Sequence, residues 1–135
     1  MQLRRDFELP EPDREFLNAH AERWETVVEG KTRWVILYDH AVPEGYTHDQ
    51  VALALMIPPG YPDAPLDMFY VKPALARRDG KAIKALSNQP IRGESFQRWS
   101  RHRTPANPWR VGEDDISTQV VLADALLARE IGRLN

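Results

Sequence analysis

Four prolines and one glycine fall within eight consecutive residues, Pro58-Pro59-Gly60-Tyr61-Pro62-Asp63-Ala64-Pro65. Neither a helix nor a ladder-paired strand runs through such a stretch, because proline fixes φ and lacks the backbone N–H. It must be an ordered, non-repetitive crossing. Its prolines lower the entropy lost on folding, and Tyr61 gives it an aromatic ring with which to hold the core. The rest of the chain is read as what comes before and after this crossing.

Before it, Leu9-Pro10-Glu11-Pro12-Asp13 marks the entry to a helix, with Pro12 stiffening the first turn, Asp13, Glu15 and Glu22 as its acids, and Phe16, Leu17 and Ala21 as a narrow apolar face. Alternation over residues 24–29, a turn at Gly30-Lys31 and the β-rich residues 32–38 predict two antiparallel strands. After the reversal at residues 42–46, residues 50–57 are apolar at both parities, which predicts a central strand covered on both faces. Beyond the crossing, residues 67–71 give a short fourth strand.

Residues 74–108 lack strong periodicity. A short helical piece at residues 82–86 is expected, followed by an irregular stretch punctuated by Pro90, Gly93, Pro105 and Pro108. A segment of this length without regular structure is more often functional than merely connective. Periodicity returns after Asp114-Asp115, a helix N-cap, and Ile116, Val120, Val121, Leu127, Ile131 and Leu134 then recur at helical spacing.

The 135 residues form one domain, 1–135, with enough apolar content for one core. No apolar run approaches the roughly 20 residues that span a bilayer, and no secretory leader is visible in residues 1–8. A cytoplasmic location is the expectation. The absence of cysteine is strict on chemistry: no disulfide, no thiolate metal site and no cysteine nucleophile.

A net charge of −2 conceals an asymmetry. Residues 72–110 hold ten Lys and Arg against Asp79 and Glu94, a balance of +8, while the remainder carries −10. The basic block is a candidate docking surface for an acidic partner, or a solvated face paired with the domain's own acids.

The order helix, four-strand meander, Tyr-Pro-x-x-Pro crossing (Tyr61, Pro62, Pro65), irregular segment, tryptophan (Trp109) and helix resembles the ubiquitin-conjugating enzyme (UBC) superfamily. Leu66 stands where that superfamily usually has a further proline. The tracts Phe96-Gln97-Arg98-Trp99-Ser100-Arg101-His102 and Trp109-Arg110-Val111-Gly112-Glu113-Asp114 look more narrowly like a bacterial branch, prokaryotic family E. The likeness covers about residues 24–131. It implies an α+β fold and association with a ubiquitin-like protein, an adenylating activating enzyme and a JAB-type peptidase. It also implies a catalytic cysteine a few residues before the tryptophan and a His-Pro-Asn tripeptide upstream, and this chain has neither.

Four functional readings follow. The leading one is a non-catalytic binding partner in a ubiquitin-like modification system. A second is a conjugating enzyme whose cysteine has been replaced, and a third uses Ser95 or Ser100 with His102. Serine at neutral pH is a poor nucleophile, and its oxyester is a less reactive acyl donor than a thioester. The fourth, a module for single-stranded nucleic acid, rests on basic residues interleaved with aromatics and is opposed by the acidity of the remainder.

Arg98, Trp99, Arg101, His102, Arg103, Trp109 and Arg110 are the candidate partner-binding residues, since tryptophan and arginine are enriched at binding hot spots. For both tryptophans the alternative is core packing. His102 among three arginines is read either as a neutral imidazole that acts as a base or a hydrogen-bonding anchor, or as a structural histidine bonded to a backbone carbonyl. His20, His40 and His48 show no metal-ligand spacing with it or with one another, and no cofactor motif is present.

Overall fold

A computed structural model of the chain describes residues 3–132. Helix α1 (Glu11–His20) precedes strands β1 (Trp24–Glu29), β2 (Thr32–Ala41), β3 (Gln50–Ile57) and β4 (Phe69–Lys72). Strands β5 (Leu86–Ile91) and β6 (Glu94–Trp99) follow, and helix α2 (Ile116–Glu130) ends the fold. The first four strands pair antiparallel in sequential order, as the meander predicts. The sheet has six strands rather than four, in the order β1-β2-β3-β4-β6-β5. The architecture is α+β and UBC-like, with a helix at each end of the chain flanking an antiparallel sheet.

The expectation of an irregular segment over residues 74–108 is corrected by the β5–β6 hairpin, and no helix forms at residues 82–86. Two physical reasons hid the hairpin. Phe96 and Trp99, three residues apart on β6, face opposite sides of the sheet, so period-2 alternation of large apolar residues does not appear. Pro90 lies within β5, and β5 is an edge strand, the one place in a sheet where proline is tolerated. Ile91 and Glu94 close a two-residue turn, so alternation aims the Pro90 nitrogen away from β6. Arg92 and Gly93 both take positive φ, 43° and 80°, as a type I′ turn requires.

Residues of β3 divide between two apolar clusters. Val51, Leu53, Leu55 and Ile57 pack with Leu17 of α1 and with Ile116, Val120, Ala123 and Leu127 of α2. On the opposite face Ala54 joins Val27, Trp34, Ile36, Tyr70, Ile91 and Phe96. Among the described residues no helix contributes to this second cluster. On this side the β5–β6 turn reaches β1 and β2, where the Arg92 guanidinium meets the buried Glu25 carboxylate at 2.9 Å and the Tyr38 hydroxyl.

The two sheet edges differ. Along β1, Asp6 N–H donates to the Thr26 carbonyl and Thr26 N–H to the Arg4 carbonyl, a parallel bridge from a segment outside the named strands. The outer side of β5 pairs with no other strand among the described residues.

Helix α2 starts where its sequence signal places it. Asp115 accepts from Thr118 N–H and the Thr118 hydroxyl accepts from Asp115 N–H, a reciprocal cap. The helix ends at Glu130, and Leu134, assigned to it from periodicity, lies outside the described residues. Asp13, read as an ordinary first-turn acid of α1, is buried. It accepts from the Tyr61 hydroxyl at 2.8 Å and from Ile116 N–H at 3.3 Å, fastening α1, the proline crossing and α2 at one point. Burial pushes the Asp13 carboxyl up from its ordinary value, although the bonds from Tyr61 and Ile116 oppose that shift. Among the described residues no helix is long and apolar enough to cross a membrane.

Candidate functional site

The tract carried by β6 and the following loop holds all seven candidate binding residues, but the fold gives them different tasks. Trp99 is fully buried, stacked on Phe69 with ring centroids 5.3 Å apart and edge-on to Tyr46. Its indole N–H donates to Gln97 Oε1 at 2.9 Å, so its one polar atom is satisfied. Trp99 is therefore a core residue and no part of an exposed patch. The large apolar area of an indole is reason enough for that placement.

Arg101 lies over the Trp99 ring, donates to the Lys84 carbonyl at 3.0 Å and faces Glu130 at 3.5 Å. Arg103 bonds Gln119 Oε1 at 2.7 Å, faces Asp114 at 3.7 Å and stacks over Trp109. Both arginines pin the loop to α2, which uses their guanidinium groups internally. Trp109 donates to the Pro62 carbonyl at 3.0 Å and packs beside Tyr61, so it braces the proline crossing while part of its ring stays accessible.

His102, Arg98 and Arg110 are less committed. His102 is exposed, with Nδ1 2.7 Å from Asp67 Oδ2, so its charged hydrogen-bonding neighbour is a carboxylate rather than one of the flanking arginines. The Arg98 Nε atom is buried without a hydrogen-bond partner. The Arg110 side chain is exposed and forms no ion pair among the described residues, while its backbone N–H donates to Asp114 at 2.7 Å. Burial would raise the Asp114 carboxyl, but the Arg110 N–H, Thr118 and Arg103 outweigh it and hold Asp114 below its ordinary value.

Six of the ten basic side chains in residues 72–110 face the domain's own acids: Lys72, Arg77, Arg78, Arg92, Arg101 and Arg103. The solvated-face reading thus accounts for more than half of the block. Ser95 is exposed on the hairpin and bonds Asn88, and Ser100 follows β6. No hydrogen bond joins either serine to His102 among the described residues, so no serine–base pair is assembled.

Sequence reasoning did not single out Asp67, Gln97 or Gln119, which orient His102, Trp99 and Arg103. Each acts on a residue at least two positions away in sequence and, for Asp67, 35 positions away, where no local pattern exists to reveal it.

No curated protein and no solved structure gives a match to the chain. The family model described as prokaryotic E2 family E matches residues 9–130, which takes in both helices and all six strands. With the sheet order and the two helices in place, the chain belongs to prokaryotic E2 family E, as a member without cysteine.

Proposed function

We propose that this chain serves a ubiquitin-like modification system as a non-catalytic partner, docking a ubiquitin-like protein or another pathway component, such as the adenylating enzyme or a JAB-type peptidase. The residues we assign to this docking are Arg98, His102, Trp109 and Arg110. The observation that carries the reading is the combination, on a conjugating-enzyme frame, of no cysteine with a tract whose Arg98, Arg110 and exposed His102 the fold does not fully employ. A thiol is what makes a transferable acyl carrier at neutral pH, and without one the frame retains its surfaces only.

Two measurements test it. Incubated with an adenylating enzyme, ATP and a ubiquitin-like protein, the chain is expected to give no adduct that reductant releases. A hydroxylamine-sensitive, reductant-stable adduct that vanishes in Ser95→Ala or Ser100→Ala would instead make it an oxyester-forming enzyme. In binding, the double variant Arg98→Glu/Arg110→Glu should weaken capture of an acidic pathway partner by ~2 kcal/mol, since attraction becomes repulsion, and added salt should weaken the parent interaction. Arg101 and Arg103 are unsuitable for this test because they hold the loop. Unchanged affinity in the double variant would remove the docking surface.

A further inference from the structure

A cavity of about 560 Å³ lies away from the β6 tract and is lined by residues of α1, β2 and α2, among them His20, His40 and Asp124. His20 Nε2 stands 3.4 Å from His40 Nδ1, and His40 Nε2 stands 2.7 Å from Asp124 Oδ1. His40 is buried, whereas His20 is exposed at the last position of α1, stacked on Phe16.

A defect in the sheet creates this arrangement. Pairing between β2 and β3 shifts by one residue between Leu37 and His40, and Asp39 in the extra position takes a left-handed φ of 55°. Strict alternation from Leu37 would turn His40 to the face away from the helices. With the bulge, His40 pairs with Val51, a residue of the helix-side core, and its ring reaches α1 and α2. A bulge interrupts the ladder and re-aims a side chain, and such features recur beside functional sites.

We propose that His20 Nε2 and His40 Nδ1 together bind a borderline divalent metal ion, Zn²⁺ or a neighbour in the series, with Asp124 as the outer partner that orients His40. Imidazole nitrogen binds zinc at about 2.0–2.1 Å, and two such bonds to nitrogens at the observed separation subtend an angle of roughly 110°, which is tetrahedral. The Asp124 contact is the second feature of a built site. A ligating histidine gives its other ring N–H to a carboxylate, which fixes the tautomer and leaves the ligating nitrogen free. Here that fixes Nε2 as the protonated atom of His40 and aims the Nδ1 lone pair at His20. Moving the His20 proton to its own Nδ1 presents both lone pairs to one point.

Among the described residues no group of three or more histidine and acidic side chains is placed to hold an ion, so those residues supply two donors. The other two positions open toward the cavity and are filled by water or by a donor group of a bound molecule. Two imidazoles select Zn²⁺, Ni²⁺ or Cu²⁺ over the hard ions Mg²⁺ and Ca²⁺. The residues come from positions 20, 40 and 124 on three elements, a convergence that a search for short ligand spacings cannot see.

The full-length chain, titrated with Zn²⁺ at pH 7.5 against a chromophoric chelator, should take up one ion per chain. Co²⁺ should give the intense visible bands of a tetrahedral site. His20→Ala, at an exposed position, should abolish stoichiometric uptake with an unchanged fold, and His48→Ala should leave it intact. Asp124→Asn should lower affinity about 10–100-fold. Absence of Zn²⁺ uptake by the parent chain overturns the proposal, and so does uptake that survives His20→Ala.

Discussion

Replacement of Trp99 by alanine is expected to destabilise the domain by about 4 kcal/mol, the range found when a large buried aromatic is truncated. The indole has no exposed surface, and its removal opens a cavity between Phe69 and Tyr46. Gln97 loses one of its bonds but remains tied to Leu75 through its N–H donor and its acceptor oxygen, so the loss is mainly one of packing. The melting temperature should fall by roughly 12 °C for a chain of this size. A residue acting through an exposed surface would instead change affinity and leave melting within a degree or two. Thermal unfolding of Trp99→Ala therefore separates the two roles that the sequence left open for this residue, and a melting temperature near that of the parent would contradict its placement in the core.

The second large effect is expected at the β5–β6 turn. Arg92→Met should cost about 3 kcal/mol at neutral pH, because it leaves the Glu25 carboxylate buried without its ionic partner. Arg4 N–H and the Tyr38 hydroxyl still donate to that carboxylate, which keeps the loss at the lower end for broken buried pairs. Adding Glu25→Gln should recover part of it by removing the stranded charge. The pH dependence has a definite sign. Burial alone would raise the Glu25 carboxyl, but bonds from Tyr38, Arg4 N–H and Arg92 outweigh it and hold the group below its ordinary value. A lowered carboxyl contributes stability above its unfolded pKa, about 4.3, and loses that contribution as pH falls through the folded value. The gap between parent and Arg92→Met should accordingly narrow below about pH 4. Urea unfolding of both proteins at pH 7 and pH 3 measures this, and a gap under 0.5 kcal/mol at pH 7 would show that the clamp holds nothing.

The elements legible in the sequence were those whose signal is local. Pro12 and the apolar spacing of Leu17 marked α1, Gly30 marked the β1–β2 turn, and Asp115 marked the start of α2. The apolar character of β3 at both parities correctly foretold two covered faces. The sequence places the onset of β4 at Asp67, and it lies at Phe69, since Met68 takes a left-handed φ of 61° that no strand pattern encodes. The β5–β6 hairpin escaped because its strands contribute to different faces and carry a proline that only an edge permits. Within the candidate tract, order along the chain is legible in the sequence and the orientation of each side chain is not. Trp99, Arg101 and Arg103 belong to the same tract as His102 and Arg110, yet their environment is decided by Phe69, Glu130 and Gln119 on distant elements.

The unequal sheet edges bear on how copies of this chain meet at high concentration. Strands that keep unpaired backbone groups recruit further strands, and proteins avoid runaway stacking by blunting such edges. The strap of residues 4–6 along β1 occupies one side, so growth of the sheet there requires displacing it. On the other side, Pro90 removes a donor from the outward row of β5, and Asn88 is left as the mid-strand donor. Head-to-tail polymerisation needs two receptive edges, and among the described residues only the β5 edge, short of one donor at Pro90, is left without a partner strand.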